Sequence, residues 1–347
     1  MVYQQLRCIL TGQCQSAGVR LLRAILWPFG QIYGTAMAMR AFAYQRQWLA
    51  SFSVPVPVIS IGNLASGGTG KTPFAAFLCR RLIELGRRPA VLVRGYGARR
   101  GVISDEALWL AKHAGGAIVQ VDADRVRGAK SALQAGVDVI VLDDGFQHLR
   151  LKRDLDVVLV DTTSPWPGDC PLPGGLLREF PHALRRAHIV CLTRCDQAGA
   201  EKAAKIEAEV RAWAPQATIL RASHIPARLA DFSGAIYDLQ TLNGCRVIAF
   251  CGIGNPCAFI ATLRALKAEV VVERFYPDHH AYALPEVCAV EDTAAKMSAL
   301  IACTEKDATK LSFFVQNPRQ WRILGVDLMM EDERPLMARL QSCLIYG

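Results

Sequence analysis

The chain has 347 residues, of which 52% are hydrophobic and 20% are charged. This composition supports a packed core and excludes wholesale disorder, and the length suits two α/β domains of roughly 150 residues each. The 12 cysteines show no paired CxxC spacing, which argues against a zinc site and favours reduced, buried thiols. The net charge of +9 suits nucleic acid, an anionic membrane or a phosphorylated substrate, and equally a solvated basic face without a partner.

The N-terminal segment 21–39 is rich in large apolar residues and is bordered by Arg20 and Arg40. Because Arg23 and Pro28 interrupt it, the segment falls short of the ~20 apolar residues of a membrane-spanning helix. It predicts an interfacial helix that contacts a membrane without spanning it. The alternative is a helix packed on the core of the protein itself.

An apolar run at 54–61 leads into a glycine-rich turn and then into Lys71 and Thr72. Strand, glycine turn and helix start are the order of a phosphate-binding loop, in which Lys71 neutralises phosphate and Thr72 holds Mg²⁺. The usual pattern opens with a glycine where this chain has Ala65. We predict that nucleotide phosphates contact Ala65, Ser66, Gly67, Gly68, Thr69, Gly70, Lys71 and Thr72.

Strands and helices alternate after this loop, which predicts a parallel sheet with ligands at the carboxyl ends of its strands. The predicted strands of this half cover 89–93, 117–121, 137–142, 156–160 and 188–193, and the helices 74–85, 106–113, 125–135 and 201–214. Short extended pieces follow at 218–243, and a second α/β block starts at 245 with strands at 245–250, 270–272 and 300–303 and helices near 259–266 and 333–343. We therefore expect a membrane-associating segment 1–50, a P-loop lobe 51–215, a linker 216–244 and a smaller α/β lobe 245–347.

Asp143 and Asp144 follow a predicted strand that ends at Leu142. A carboxylate at that place is typical of a Walker-B aspartate, which reaches Mg²⁺ directly or through water. The pair could orient both the metal and an attacking hydroxyl. The alternative is a solvated Asp-Asp-Gly turn.

Other polar positions allow two readings each. Asp105 or Ser104 would serve as a helix N-cap. His279 and His280, after a strand of the second block, suit proton transfer but equally a loop without a role. Arg178 and Glu179 could bind phosphate and a second metal position, or form an exposed ion pair.

Taken together, these segments resemble the tetraacyldisaccharide 4'-kinases of lipid A synthesis. The resemblance rests on residues 58–63, 67–73, 94–97, 105–106, 143–148, 252–256, 277–279 and 304–307. It implies two α/β/α lobes joined by a short β linker, with a P-loop NTPase-like N-terminal lobe, closing over ATP and Mg²⁺. It also implies a kinase at the cytoplasmic face of the bacterial inner membrane, peripheral or monotopic, that phosphorylates the 4'-hydroxyl of the tetraacyldisaccharide 1-phosphate precursor.

The resemblance also assigns roles to individual residues. Asp105 is expected to accept the sugar hydroxyl proton with His279 as its partner, and Asp144 belongs with them as a catalytic group. Thr72, Asp143, Asp144 and Glu179 are the expected metal residues. Neither nucleic acid nor an obligate protein partner is implied.

Two other functions fit parts of the sequence. One is a membrane-associated P-loop nucleotide switch or ATPase without a lipid acceptor. Segment 193–196 favours it, because this segment is faintly similar to a base-reading loop of GTP-binding proteins. An ATP-dependent nucleic-acid-binding protein suits the basic charge, but the sequence shows no recognition helix, zinc module or aromatic RNA-binding strand.

Overall fold

The computed structural model describes residues 9–11, 16–95, 104–278 and 280–346. The chain forms two compact units. The first comprises Met1–Ser223 together with Met330–Gly347, and the second comprises His224–Met329. The C-terminal helix therefore belongs to the first unit although it follows the second along the chain.

The first unit alternates strands with helices. Its elements are α1 (Ala17–Gln45), β1 (Val58–Asn63), α2 (Lys71–Glu84), β2 (Pro89–Val93), α3 (Asp105–His113), β3 (Ile118–Val121), α4 (Arg125–Gln134), β4 (Val139–Asp143), β5 (Leu155–Asp161), β6 (Ile189–Thr193), α5 (Cys195–Ala198), α6 (Ala200–Trp213), the start of β7 (Thr218–Ala230) and, after the second unit, α10 (Arg334–Tyr346). A 3₁₀ helix covers Pro181–Arg186.

The sheet of this unit has the order β3-β2-β4-β1-β5-β6-β7, and its strands run parallel. Strand β1 lies between β4 and β5, with Ile59 opposite both Val141 and Leu155. Every residue of these three strands is buried, as expected for a parallel sheet covered on both faces. The segments that follow β1 and β4 consequently meet at one carboxyl edge of the sheet.

Helices cover the sheet through two apolar clusters. In one, Ile140 and Leu142 of β4 pack with Val126 and Ala129 of α4. The other brings strand residues together with Ile206 and Val210 of α6. Burial of these faces removes apolar surface from water, which stabilises the fold by about 25 cal/mol per Å². This packing holds in place the strands that carry the loops of the site.

The second unit is a smaller α/β layer. It contains the end of β7, β8 (Ile236–Tyr237), β9 (Arg246–Cys251), α7 (Pro256–Ala265), β10 (Glu269–Phe275), α8 (Leu284–Met297), β11 (Leu300–Thr304), α9 (Glu305–Leu311) and β12 (Trp321–Met330). Short 3₁₀ helices cover Leu239–Leu242 and Pro318–Gln320.

Strand β9 of the second unit lies between β10 and β11 and pairs with both in parallel. Its alternate residues face opposite sides. Val247 packs with Leu263 of α7, whereas Phe250 packs with Val287 of α8. This period-two alternation places helices on both faces of the strand, and the predicted α/β class is confirmed in each unit.

Some elements differ from the sequence prediction in extent. Helix α1 continues through Pro28, and β7 is one strand of 13 residues where short extended pieces were expected. Helix α8 and strand β12 were not predicted. None of the helices in the described ranges combines the length and apolar character needed to cross a bilayer.

Candidate active site

The phosphate loop connects β1 to α2 as the sequence predicts. Gly67 has φ 144° and Gly70 has φ 90°, values that favour glycine and that allow the chain to turn sharply into the helix. Helix α2 begins at Lys71 with Gly70 as its N-cap. The first N–H groups of such a helix have no partner within it, so they form an anion site.

Oxygen atoms of this loop accept hydrogen bonds from the side chains around it. Asn63, the last residue of β1, donates from Nδ2 to Thr69 Oγ1 at 2.9 Å and to the Gly67 carbonyl at 3.4 Å. Thr193 Oγ1 donates to the Thr69 carbonyl at 3.2 Å, and Arg194 Nη2 donates to the Gly68 carbonyl at 2.9 Å. The loop is thus preorganised by the ends of β1 and β6.

Lys71, Thr72 and the two predicted aspartates lie together. The Thr72 hydroxyl donates to Asp143 Oδ2 at 3.0 Å. Lys71 Nζ lies 3.5 Å from Asp144 Oδ1 and donates to Asn63 Oδ1 at 3.3 Å. Four of the predicted site residues are therefore brought together at the carboxyl edge of β1 and β4.

Asp143 is buried, and its Oδ1 atom has no hydrogen-bond partner among the described residues. Burial and the nearby Glu106 carboxylate raise the pKa of Asp143 to about 7, although Lys71 acts in the opposite direction. A buried carboxylate with an unused oxygen beside a threonine hydroxyl fits a hard cation that prefers oxygen ligands. Thr72 and Asp143 are therefore suited to hold Mg²⁺.

Asp144 begins the turn after β4 with φ 57°, a conformation that aspartate tolerates. Arg178 Nη1 lies 2.8 Å from both of its carboxylate oxygens. Burial would raise the pKa of Asp144, but Lys71 and Arg178 outweigh that effect and lower it to about 2. Asp144 is therefore ionised between two cations.

Glu179 has different partners from Arg178, so the two residues do not form the exposed ion pair considered above. Arg186 Nη2 donates to both Glu179 oxygens, at 2.9 and 2.7 Å, and Gln147 Nε2 donates to Oε1 at 3.1 Å. Gln147 also donates to the Asn63 carbonyl at 2.9 Å. Glu179 is thereby linked to the end of β1.

Ser104 is the N-cap of α3, and its side chain accepts from Ala107 N at 3.4 Å. Asp105 is consequently the first helical residue and not the cap. The other member of the predicted pair, His279, lies outside the described residues, as do 96–103. Within the described ranges, no group of three or more His, Cys, Asp or Glu side chains forms a metal cluster.

Sequence reasoning missed the support residues Arg194 and Arg125. Arg194 forms a buried ion pair with Asp161 in addition to its bond to the phosphate loop. Buried Arg125 donates from Nη2 to the Asp143 carbonyl at 3.1 Å. The available signal was the position of each cation: Arg194 directly follows a buried strand, and Arg125 begins a helix. Their partners come from distant parts of the chain.

Comparison with known proteins gives consistent matches. Residues 22–344 match the family described as Tetraacyldisaccharide-1-P 4'-kinase. The tetraacyldisaccharide 4'-kinase of Anaeromyxobacter dehalogenans (strain 2CP-C) is 39% identical over 327 residues, covering 84% of this chain and 86% of the relative. That of Geobacter sulfurreducens is 36% identical over 356 residues, covering 97% and 98%.

Among solved structures, the chain is similar to LpxK from Aquifex aeolicus, which was crystallised in complex with ATP. The TM-score is 0.71 at 27% sequence identity, and the match covers 93% of this chain and 99% of that one. The family match extends over nearly the whole chain and includes the phosphate loop and the Asp143–Asp144 pair described above. The chain belongs to the tetraacyldisaccharide-1-P 4'-kinase family.

Proposed function

We propose that this protein transfers the γ-phosphoryl group of ATP to the 4'-hydroxyl of tetraacyldisaccharide 1-phosphate, the lipid A precursor. The observation that carries the proposal is the convergence of Lys71, Thr72, Asp143 and Asp144 beside the phosphate loop. Phosphoryl transfer depends mainly on positioning and on neutralisation of charge, and this site supplies both.

The phosphate loop binds the nucleotide through residues 65–72. Backbone N–H groups at the start of α2 receive the phosphates, and Lys71 compensates the charge that develops on the transferred group. Mg²⁺, held by Thr72 and Asp143 with Asp144 nearby, would neutralise phosphate oxygens when it is bound. Arg178 holds Asp144 in place through its 2.8 Å contacts.

Glu179 is less directly supported as a metal residue, because its oxygens already accept hydrogen bonds from Arg186 and Gln147. We assign it a supporting position: it orients Gln147, which in turn binds the end of β1 at Asn63.

Asp105 is the proposed acceptor of the sugar hydroxyl proton. Ser104 performs the capping role, so the Asp105 carboxylate is not required for it. Helix α3 follows β2, which pairs with β4 in the sheet, and Glu106 acts electrostatically on Asp143. The assignment of His279 as its partner rests on the resemblance of 277–279 to the family.

Helix α1 is proposed to contact the membrane that holds the acyl chains. Its large apolar residues are exposed to solvent, among them Trp27 at 55%, Ile32 at 67% and Met39 at 68%. Such a helix lies in a lipid interface with its apolar side chains among the acyl chains. The cytoplasmic face of the inner membrane, with peripheral attachment, is the location we propose.

The nucleotide switch is less well supported than the kinase. Its best sequence feature was the 193–196 loop, but Arg194 pairs with Asp161 and with the Gly68 carbonyl, and Thr193 bonds the Thr69 carbonyl. These side chains support the phosphate loop, so they are not available to read a base.

The test is incubation of the purified protein with γ-labelled ATP, Mg²⁺ and tetraacyldisaccharide 1-phosphate in detergent. We expect labelled lipid that depends on both the acceptor and Lys71. Rapid ATP hydrolysis with no labelled lipid would instead support the switch.

A further inference from the structure

Helix α1 approaches the rest of the first unit most closely at two glycines. Gly30 and Gly34 are its buried residues, and their spacing of four places them on one face, one turn apart. A Cβ atom on Gly30 would lie 2.6 Å from both Cys170 Sγ and the Pro171 carbonyl oxygen. These distances are far below van der Waals contact at ~3.5 Å, so the approach requires glycine.

The second glycine meets the same part of the chain. A Cβ on Gly34 would lie 2.6 Å from the Phe180 ring and 2.7 Å from Pro171 Cγ. The helix thus rests on residues 170–180, which we call the docking segment. Gly174 in this segment is close to the helix in turn, since its own Cβ would lie 3.2 Å from the Leu26 carbonyl oxygen.

Polar contacts fix the register of this interface. Gln31 Nε2 donates to Cys170 Sγ at 3.6 Å, and Arg23 Nη2 donates to the Gly168 carbonyl at 3.0 Å. The remainder of α1 is largely exposed. Further along the helix, Arg40 Nη1 donates to the Gln147 carbonyl at 3.0 Å. The position of the helix is therefore set by its contacts with the docking segment, with the residues just before it and with Gln147.

The other side of the docking segment pairs with the start of the phosphate loop. Ser66 N donates to the Leu176 carbonyl at 2.7 Å, and Arg178 N donates to the Leu64 carbonyl at 2.6 Å. Ala65 and Leu177 form an antiparallel bridge between these bonds. The Arg178 side chain then binds Asp144.

We infer that helix α1 is a positioning element of the nucleotide site: Gly30 and Gly34 set the docking segment, which places Arg178 against Asp144 and supports Ala65 and Ser66. This inference goes beyond membrane attachment, and it rests on the proposed function because its readout is binding of Mg·ATP. If the helix served only as an anchor, substitutions in it would alter vesicle binding and leave nucleotide affinity unchanged.

The first test compares Gly30→Ala with Gly18→Ala. Both substitutions replace a glycine of α1 by the better helix former alanine, but a Cβ on Gly18 meets nothing within 4 Å. Mg·ATP affinity is measured in detergent without vesicles or lipid acceptor. We expect Gly30→Ala to weaken ATP binding about tenfold, a typical coupling between sites, and Gly18→Ala to match the wild type.

A double-mutant cycle tests whether the effect passes through Arg178. Coupled residues give non-additive losses, whereas independent ones add. We expect Gly30→Ala to cost clearly less ATP affinity in an Arg178→Gln background than in the wild type. A full, additive loss, or unchanged affinity in Gly30→Ala, would overturn the inference.

A compensating pair controls for general misfolding. The ring of Phe180 is the nearest obstacle to a side chain at 34, and Pro171 Cγ is the next at 2.7 Å. Phe180→Leu removes the first obstacle only and should restore part of the ATP affinity lost in Gly34→Ala. Failure of this rescue in a double variant that melts at the wild-type temperature would count against the inference. A wild-type protein that binds no ATP would overturn the proposed function as well. If the wild type binds ATP and Gly30→Ala binds it with the same affinity, the inference alone is overturned.

Discussion

Arg178 binds both carboxylate oxygens of Asp144 through one nitrogen, at 2.8 Å each. Arg178 comes from the docking segment, which contacts α1, and Asp144 follows β4. The contact therefore joins the surface helix to the carboxyl edge of the sheet, where Lys71 and Thr72 also lie. Helix α1 and the phosphate loop are thus linked through neighbouring residues of one unit.

Replacement of Asp143 by Asn is expected to raise the Mg²⁺ concentration for half-maximal activity by tenfold or more, since loss of a metal-orienting group typically costs about 10–100-fold. The matched control is Asp138→Asn, at the opposite end of the same strand, where the carboxylate accepts from Arg88 N. Titration of kinase activity with Mg²⁺ provides the measurement. Equal Mg²⁺ requirements for the two variants would contradict the metal assignment.

Arg194→Ala should destabilise the protein by about 3–5 kcal/mol, because it leaves the buried Asp161 carboxylate without its cation. It should also weaken ATP binding, since the Gly68 carbonyl loses its donor. Arg211→Ala removes an exposed pair with Glu207 and should cost less than about 1 kcal/mol. Chemical denaturation and ATP titration of both variants check this, and comparable losses would argue against a supporting role for Arg194.

His148 should make the protein less stable in mild acid. Burial and the nearby Arg125 lower its pKa from 6.5 to about 4. As the pH falls through 6.5 the unfolded chain takes up a proton that the folded protein does not, so stability present above pH 6.5 is lost progressively towards pH 4. Unfolding midpoints in urea at several pH values measure this loss.

The control for this pH effect is His148→Gln, which does not titrate. We expect its stability to fall less steeply than that of the wild type between pH 6.5 and pH 4. Parallel pH profiles for the two proteins would show that the His148 ring is not the group responsible.

Ile32→Glu should reduce binding to anionic vesicles by tenfold or more, because an inserted isoleucine contributes about 2 kcal/mol and the new charge repels the surface. Ile236→Glu is the matched control, since Ile236 is 85% exposed but lies in the second unit. Vesicle sedimentation measures binding, and ATP affinity should stay unchanged in both. Undiminished sedimentation of Ile32→Glu would refute membrane contact through this face of α1.

The sequence predicts those parts of the fold that depend on local patterns. The buried strands at 89–93 and 188–193 are recognised by apolar runs, which cover 89–93 and 189–192. The glycines before Lys71 specify the turn into α2. Strand β12 was missed because its burial follows no regular alternation, so its sequence has neither the period-two pattern of a half-buried strand nor a continuous apolar run. Return of the C-terminal helix to the first unit has no local sequence signal.

The candidate site was predictable where chemistry follows a motif and not where it depends on tertiary contacts. The sequence places Lys71, Thr72, Asp143 and Asp144 at the ends of strands, and the structure brings them together. The partners of Arg178 and Glu179 are determined by the path of the docking segment, which has little regular structure of its own. No local pattern distinguishes Gly30 and Gly34 from other helix residues, because the side chains that require glycine there, Cys170 and Phe180, lie far along the chain.

The most direct test of the central claim is the position of the new phosphate on the lipid. Purified protein is incubated with Mg·ATP and tetraacyldisaccharide 1-phosphate, and the product is analysed by phosphorus NMR and mass spectrometry while ADP is quantified. We expect one added phosphate monoester at the 4' position for each ADP formed. Formation of ADP without any change in the lipid, or a phosphate at another hydroxyl, would contradict the proposed 4'-kinase activity.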